Sequence, residues 1–149
     1  MITVIISSKF GSHTKIIQQI IQNKAARVVS KRDKYTPIVE LLRQCGWLSV
    51  RQLVFYHSVI QIYKTKQTSS PKYISDKLNF EFPYNTRLAS SESVRMGAEF
   101  KSKLALTEKS FINRSTVNFN QLPTELKQIM KIEVFKKKLK QWVNQNIRI

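Results

Sequence analysis

An excess of positive charge limits what this chain can fold into more than any other feature of its sequence. Its 149 residues include 26 Lys and Arg but only 9 Asp and Glu, a formal net charge of +17. The basic residues are spread along the whole chain, so the fold must carry a broad basic surface. Such a surface repels itself in isolation and attracts a polyanion. Nucleic acid is the favoured polyanion, because each neutralised phosphate releases a condensed counterion.

The composition narrows the class of protein further. A hydrophobic fraction of 42% is enough for a modest core in one domain. We expect residues 1–14 to form a poorly defined segment and residues 15–149 a single basic helical domain. No apolar run approaches the roughly 20 residues of a membrane span, and the N-terminus lacks the basic region of a signal peptide. The single cysteine, Cys45, indicates a reducing compartment. We therefore expect no membrane partner and an intracellular location, in the nucleus or in a cytoplasmic ribonucleoprotein.

The hydrophobic periodicity predicts a mainly α fold. A first helix is expected from Lys15 to Val29, with an apolar stripe that faces the core. The stripe consists of Ile16, Ile17, Ile20, Ile21 and Val28. On this helix Gln18, Gln19, Gln22 and Asn23 are expected to face outward.

A short helix with clear start and stop signals is predicted next. Pro37 suits the first position of a helix that ends at Gln44, with Thr36 as its N-cap. Gly46 is expected to stop that helix in the left-handed conformation. Trp47 and Leu48 are predicted to be core anchors.

The next helix is predicted to be the centre of the core. Ser49 and Gln52 have the spacing of a capping box. The segment Val50–Lys64 is apolar around most of its circumference, which is typical of a covered helix. His57 is interpreted as a core or edge histidine, and residues 64–71 as a loop.

The C-terminal half predicts shorter elements and one basic amphipathic helix. Short strands or a small β-hairpin are expected between about residues 94 and 117, and a short helix over residues 124–130. The last helix is expected from Ile132 to Asn146. Its apolar face consists of Ile132, Phe135, Leu139, Trp142 and Val143, and lysines occupy the other face.

The residues of common catalytic sites are absent or dispersed. Asp33 and Asp76 lie in no acidic cluster, so a two-metal site is not expected. Two histidines and one cysteine cannot assemble a zinc site, and the three glycines are too dispersed for a phosphate loop. A Ser–His nucleophile pair stays open, although no motif points to it. We expect no catalytic residue, no metal, no cofactor and no small-molecule substrate for this chain by itself.

Candidate phosphate contacts fall into two groups. The first choices, on the last helix, are Lys136, Lys137, Lys138 and Lys140. The second choices are Lys31, Arg32, Lys34, Lys24, Arg27 and Arg51. Lysine and arginine in such sets position phosphates without reading bases. Trp47 and Trp142 have two interpretations, base stacking and core packing, of which core packing is favoured.

Eleven short blocks in a fixed order carry a resemblance to a known family. They are Ile21–Val29, Tyr35–Pro37, Leu41–Leu42, Gly46–Gln52, Tyr56, Ile62–Lys64, Pro71–Ile74, Tyr84–Arg87, Ser110–Phe111, Asn120–Pro123 and Phe135–Lys140. In order and spacing they resemble the region downstream of the polymerase core in non-LTR (LINE-type) retrotransposon reverse transcriptases. The chain departs from that pattern at Phe119, where tryptophan is expected, and at Ser115–Thr116, where a glycine-containing pair is usual.

The resemblance implies a C-terminal fragment without the fingers, the palm and their catalytic aspartates. In the intact enzymes this region is similar to a thumb and its C-terminal extension, which hold template RNA, primer or target DNA. Three interpretations follow: a non-catalytic module that grips RNA or DNA or both, a docking module for a polymerase core, and a decayed reading frame without activity.

Overall fold

The computed structural model describes residues 12–33, 35–79, 95–96 and 110–147, and within them the fold is mainly helical. The elements in chain order are α1 (Ser12–Ser30), α2 (Ile38–Gln44), α3 (Val50–Thr68), α4 (Lys72–Ser75), β1 (Leu78–Asn79), β2 (Arg95–Met96), α5 (Phe111–Asn120), α6 (Thr124–Lys127) and α7 (Ile132–Asn146). The chain divides into two compact units. The first unit contains the described residues up to Val54 together with 143–147, and the second contains those from Phe55 to Trp142.

In the first unit, two consecutive capping motifs make the turn between α2 and α3. Gly46 has φ +65°, the left-handed conformation that stops a helix. Its N–H donates to the Arg43 carbonyl (3.0 Å) and the N–H of Trp47 donates to the Leu42 carbonyl (2.8 Å), which together form a Schellman motif. The predicted stop at Gly46 is confirmed. The helix begins one residue later than expected, because Pro37 rather than Thr36 is its N-cap.

The predicted capping box of α3 is also confirmed. The N–H of Ser49 donates to Gln52 Oε1 (2.9 Å), and the N–H of Gln52 donates to Ser49 Oγ (3.3 Å). Gln52 Nε2 donates in addition to the Ile147 carbonyl at 2.8 Å. Both residues are buried, so the motif satisfies polar groups that water cannot reach.

Helix α1 shows its apolar stripe to solvent, so the expectation that this stripe faces the core is wrong. The five predicted stripe residues are 48–77% exposed, whereas Ala26 is fully buried with Leu41 and Leu42 of α2. Gln22 Nε2 donates to the Leu48 carbonyl at 2.7 Å, and Gln19 Oε1 accepts from the N–H of Val50 at 3.0 Å. The backbone of the α2–α3 turn needs partners, and these glutamines supply them.

In the second unit, α3 and α7 run antiparallel and form an aromatic core. The rings of Tyr63 and Phe135 stack at 3.9 Å, and those of Phe55 and Trp142 stack at 5.8 Å, so residues later in α3 meet residues earlier in α7. Asn118 of α5 donates to Ser58 Oγ at 2.9 Å. Helix α3 contributes Phe55, Val59, Ile62 and Tyr63 to the buried residues, as expected of a covered helix. Trp142 is half-buried and stacks on the buried Phe55, so it packs against the core without being enclosed by it.

Several expected boundaries differ from the structure. Helix α3 continues to Thr68, so residues 64–68 are helical rather than a loop, and α6 ends at Lys127. Strand β2 lies within the range expected for short strands, but it pairs antiparallel with β1, which precedes that range. The remainder of the expected hairpin over 97–109 lies outside the described residues, and the strand expectation is wrong for residues 111–117, which belong to α5. Ser110 caps that helix by accepting from the N–H of Asn113 at 3.3 Å.

Candidate nucleic-acid interface

Helix α7 presents a lysine face because its other face is held in the core. The bounds Ile132–Asn146 are those predicted. Phe135 and Leu139 are fully buried, and the ring stacking of Phe135 on Tyr63 fixes the rotation of the helix about its axis. The intervening positions are therefore directed to solvent, as a 3.6-residue repeat requires.

The lysines of this face differ in their surroundings. Lys137, Lys138 and Lys140 are exposed, and within the described part of the chain Lys137 and Lys138 form no ion pair. Lys136 Nζ lies 3.0 Å from Glu133 Oε1, one turn earlier on the helix. Glu133 is well placed in the first turn, where the helix dipole favours an anion. It also neutralises part of the charge of Lys136, so Lys137 and Lys138 carry the less compensated positive charges of this face.

Tyr56 of α3 borders the lysine face, although it is not among the contacts predicted from the sequence. Burial raises the pKa of its hydroxyl, while nearby Lys136 lowers that pKa and Glu133 raises it. The hydroxyl therefore stays protonated at neutral pH and can donate a hydrogen bond. The signal in the sequence was a polar-tipped aromatic on an otherwise apolar helix, which is equally typical of a core tyrosine.

His57 lies next to Tyr56, with ring centroids 5.4 Å apart. It is exposed, as an edge histidine would be. Partial burial lowers its pKa from the usual 6.5, so the imidazole is neutral at pH 7 and adds no charge to the basic surface.

The second-choice cations belong to the first unit. Lys24, Lys31, Arg32 and Arg51 are exposed and Arg27 is half-buried. Lys24 and Arg27 lie on the same side of α1 as the exposed isoleucines, since residues three or four apart share a helix face. The predicted contact Lys34 lies outside the described residues. The first-choice lysines, on α7, are in the second unit.

One of the described cations is buried and stabilises the fold instead of adding to the basic surface. Lys127 is only 4% exposed, and its Nζ donates to the Asn120 carbonyl at 3.1 Å, at the end of α5. The same Nζ lies 6.0 Å from the centre of the Phe119 ring. A lysine at this position satisfies a terminal carbonyl and complements the negative end of the helix dipole. Its sequence context, a lysine in a short polar helix, resembles that of any surface lysine.

The described residues contain no group of three or more His, Cys, Asp or Glu that could hold a metal ion. Over the same ranges, no helix combines the length and the apolar character that crossing a membrane requires. No protein-family model, curated protein or solved structure matches this chain.

Proposed function

We propose that this protein is a non-catalytic nucleic-acid-binding module that grips the phosphate backbone of RNA or DNA with the lysine face of α7. The proposal includes a relation to the region downstream of the polymerase core of LINE-type reverse transcriptases. One observation carries the binding function: α7 is held by a buried aromatic face while Lys137 and Lys138 project into solvent without an ion-pair partner among the described residues.

The physical basis is counterion release from the backbone rather than readout of bases. Adjacent lysines on an exposed helix face contact phosphates as point charges, and such contacts carry no sequence information. For duplex DNA each neutralised phosphate contributes about 0.9 to the slope of log affinity against log salt concentration. Binding through this face should therefore be strongly salt-dependent and nearly equal for different sequences.

The experiment compares two double variants with the same change in charge. Lys137→Ala/Lys138→Ala removes the unpaired lysines of α7. Lys64→Ala/Lys72→Ala removes two exposed lysines elsewhere in the second unit. Fluorescence anisotropy with labelled RNA, duplex DNA and an RNA–DNA hybrid across a salt series measures each slope.

The α7 variant should reduce the slope by about 2 and weaken all sequences alike, whereas the control variant should leave the slope unchanged. Equal losses in the two variants would mean that net charge alone causes binding and would refute the assignment to α7. Sequence-dependent losses would refute backbone recognition.

A second candidate function, docking to another protein, is favoured by the exposed stripe of α1. Contiguous exposed aliphatic residues of this kind mark interaction surfaces. Helix α1 contains no acidic residue, and Lys15 and Lys24 on it are exposed. The complementary partner is an amphipathic helix whose apolar face is bordered by carboxylates, such as a surface of a polymerase core. A second copy of this chain is disfavoured, because both copies would carry a charge of +17.

This candidate is tested with two synthetic amphipathic peptides that share a leucine face and differ only in having glutamate or lysine borders. The glutamate peptide should bind the wild type, and Ile17→Ser/Ile21→Ser should abolish that binding. Val117→Ser/Met130→Ser, which changes two exposed apolar residues of the second unit, is the matched control. Equal binding of both peptides, or an equal effect of the control variant, would refute the docking surface; a dimer in light scattering would identify a second copy as the occupant.

A further inference from the structure

The first unit contains an open cleft with an aromatic wall, a basic rim and polar amides. Its volume is about 370 Å³, within the lower range of ligand-binding pockets. Val39 and Leu42 supply an apolar lining, Trp47 supplies a flat ring, and Arg43, Asn144 and Gln145 supply polar groups. All these residues belong to the first unit, so the cleft is formed within one compact body.

The position of Trp47 follows from the turn that precedes it. The sequence favoured core packing for this residue, yet the side chain is 37% exposed, so that interpretation is wrong. The Schellman motif holds the Trp47 backbone against the end of α2, and Leu48 takes the buried position instead at 4% exposure. The backbone hydrogen bonds of the turn therefore position the indole at the wall of the cleft, and part of the ring surface remains exposed.

Another part of the cleft lining is held in place by hydrogen bonds of Gln52. This side chain lines the cleft and is 2% exposed. Its oxygen accepts from the Ser49 N–H, and its nitrogen donates to the carbonyl of Ile147, which also lines the cleft. The α3 start and residue 147 are thereby joined within the first unit. A wall fixed in this way needs little ordering when a ligand enters.

The amides at the rim are available for a ligand. Asn144 and Gln145 are exposed on the last turn of α7, and neither side-chain amide has a hydrogen-bond partner among the described residues. An amide side chain offers two donors and an acceptor, which is the combination that the edge of a nucleobase complements. Arg43 also lines the cleft, is exposed, and carries the only positive charge among the described residues of this lining.

We propose that the Trp47 cleft binds one unpaired base of single-stranded nucleic acid, with the adjoining phosphate at Arg43. The base stacks on the indole, an interaction that every base can make, and Asn144 and Gln145 contact its edge. A base inside a duplex is stacked and paired, so its face cannot reach the indole. This inference rests on the proposed nucleic-acid function and adds to it a preference for single strands over duplexes.

The test measures binding of a labelled 12-nucleotide single strand and of the matching duplex to four proteins. They are the wild type, Trp47→Ala, Trp47→Phe and the control Tyr73→Ala, which removes an exposed aromatic residue from the second unit. Far-ultraviolet circular dichroism establishes that each variant is folded. Trp47→Ala should weaken single-strand binding about 5- to 100-fold and leave duplex binding within about twofold, because only the single strand offers a base face. Trp47→Phe should retain most of the affinity, and Tyr73→Ala all of it. Equal losses for strand and duplex, or no loss for either, would overturn the inference.

A titration with adenosine monophosphate separates failure of the cleft from failure of the proposed function. In a Trp142→Phe background, Trp47 is the single tryptophan and reports directly on the cleft. Adenosine monophosphate should quench its fluorescence, and ribose 5-phosphate, which lacks a base, should not. Quenching without binding of any oligonucleotide would support base binding in the cleft and refute the nucleic-acid function. Oligonucleotide binding without quenching would support the nucleic-acid function and refute base binding in the cleft.

Discussion

Replacement of Gln52 by alanine should be among the most destabilising single changes in the first unit. The side chain is 2% exposed and makes two hydrogen bonds, from the Ser49 N–H at 2.9 Å and to the Ile147 carbonyl at 2.8 Å. The alanine variant leaves both backbone groups without their partner. An unsatisfied buried group costs about 1–3 kcal/mol, so a loss of about 2–4 kcal/mol is expected once relaxation of one group toward water is allowed.

The matched change is Ser49→Ala, which removes the weaker half of the capping box. Its hydroxyl accepts one hydrogen bond of 3.3 Å from the N–H of Gln52. Loss of an N-cap side chain typically costs about 1 kcal/mol. Gln52→Ala should therefore reduce the free energy of unfolding by clearly more than Ser49→Ala does.

The assay is urea unfolding followed by circular dichroism at constant protein concentration, with the single and double variants in one thermodynamic cycle. Because the two side chains share the capping box, the double variant should cost less than the sum of the single changes. Equal costs for the two single variants would show that the bond to Ile147 contributes nothing. Strict additivity would show that the two hydrogen bonds of the capping box act independently and would contradict the expected coupling.

Three further outcomes are expected. Gly46→Ala should lower the free energy of unfolding by about 1 kcal/mol because residue 46 has a positive φ, although a Cβ there meets no atom within 4 Å. Gly46→Asn should lower the free energy of unfolding by less. Equal losses for the two variants would contradict the left-handed conformation at the helix end. Glu133→Gln should strengthen nucleic-acid binding and steepen its salt dependence, since the change releases Lys136 from its ion pair. The same change should lower the pKa of Tyr56, measured by absorbance at 295 nm, because Glu133 raises that pKa. The pKa of His57 is depressed in the folded state, so the unfolded chain takes up its proton first and stability should fall as the pH drops below about 6.5. His57→Gln should remove that part of the pH dependence, and an unchanged profile would contradict the depressed pKa.

Local patterns predicted much of the helical framework, because each rests on contacts between residues close in sequence. The bounds of α7, the stop at Gly46 and the capping box of Ser49 and Gln52 all agree with the structure. Each depends on backbone conformation or on side chains within one turn, and tertiary contacts did not override it. The lysine face of α7 follows from the same periodicity.

The sequence by itself therefore determined the mainly helical fold, its main stops and starts, and the strongly basic character of the protein. Only the tertiary structure decided which face of α1 lies inside, where Trp47 points, and that Lys127 is buried. In α1 the outcome depended on backbone groups of the α2–α3 turn, which needed Gln19 and Gln22 as partners and left the isoleucines in solvent. A helical pattern reports which residues share a face. Which face turns inward depends on polar groups that are distant in sequence and become neighbours only in the folded chain.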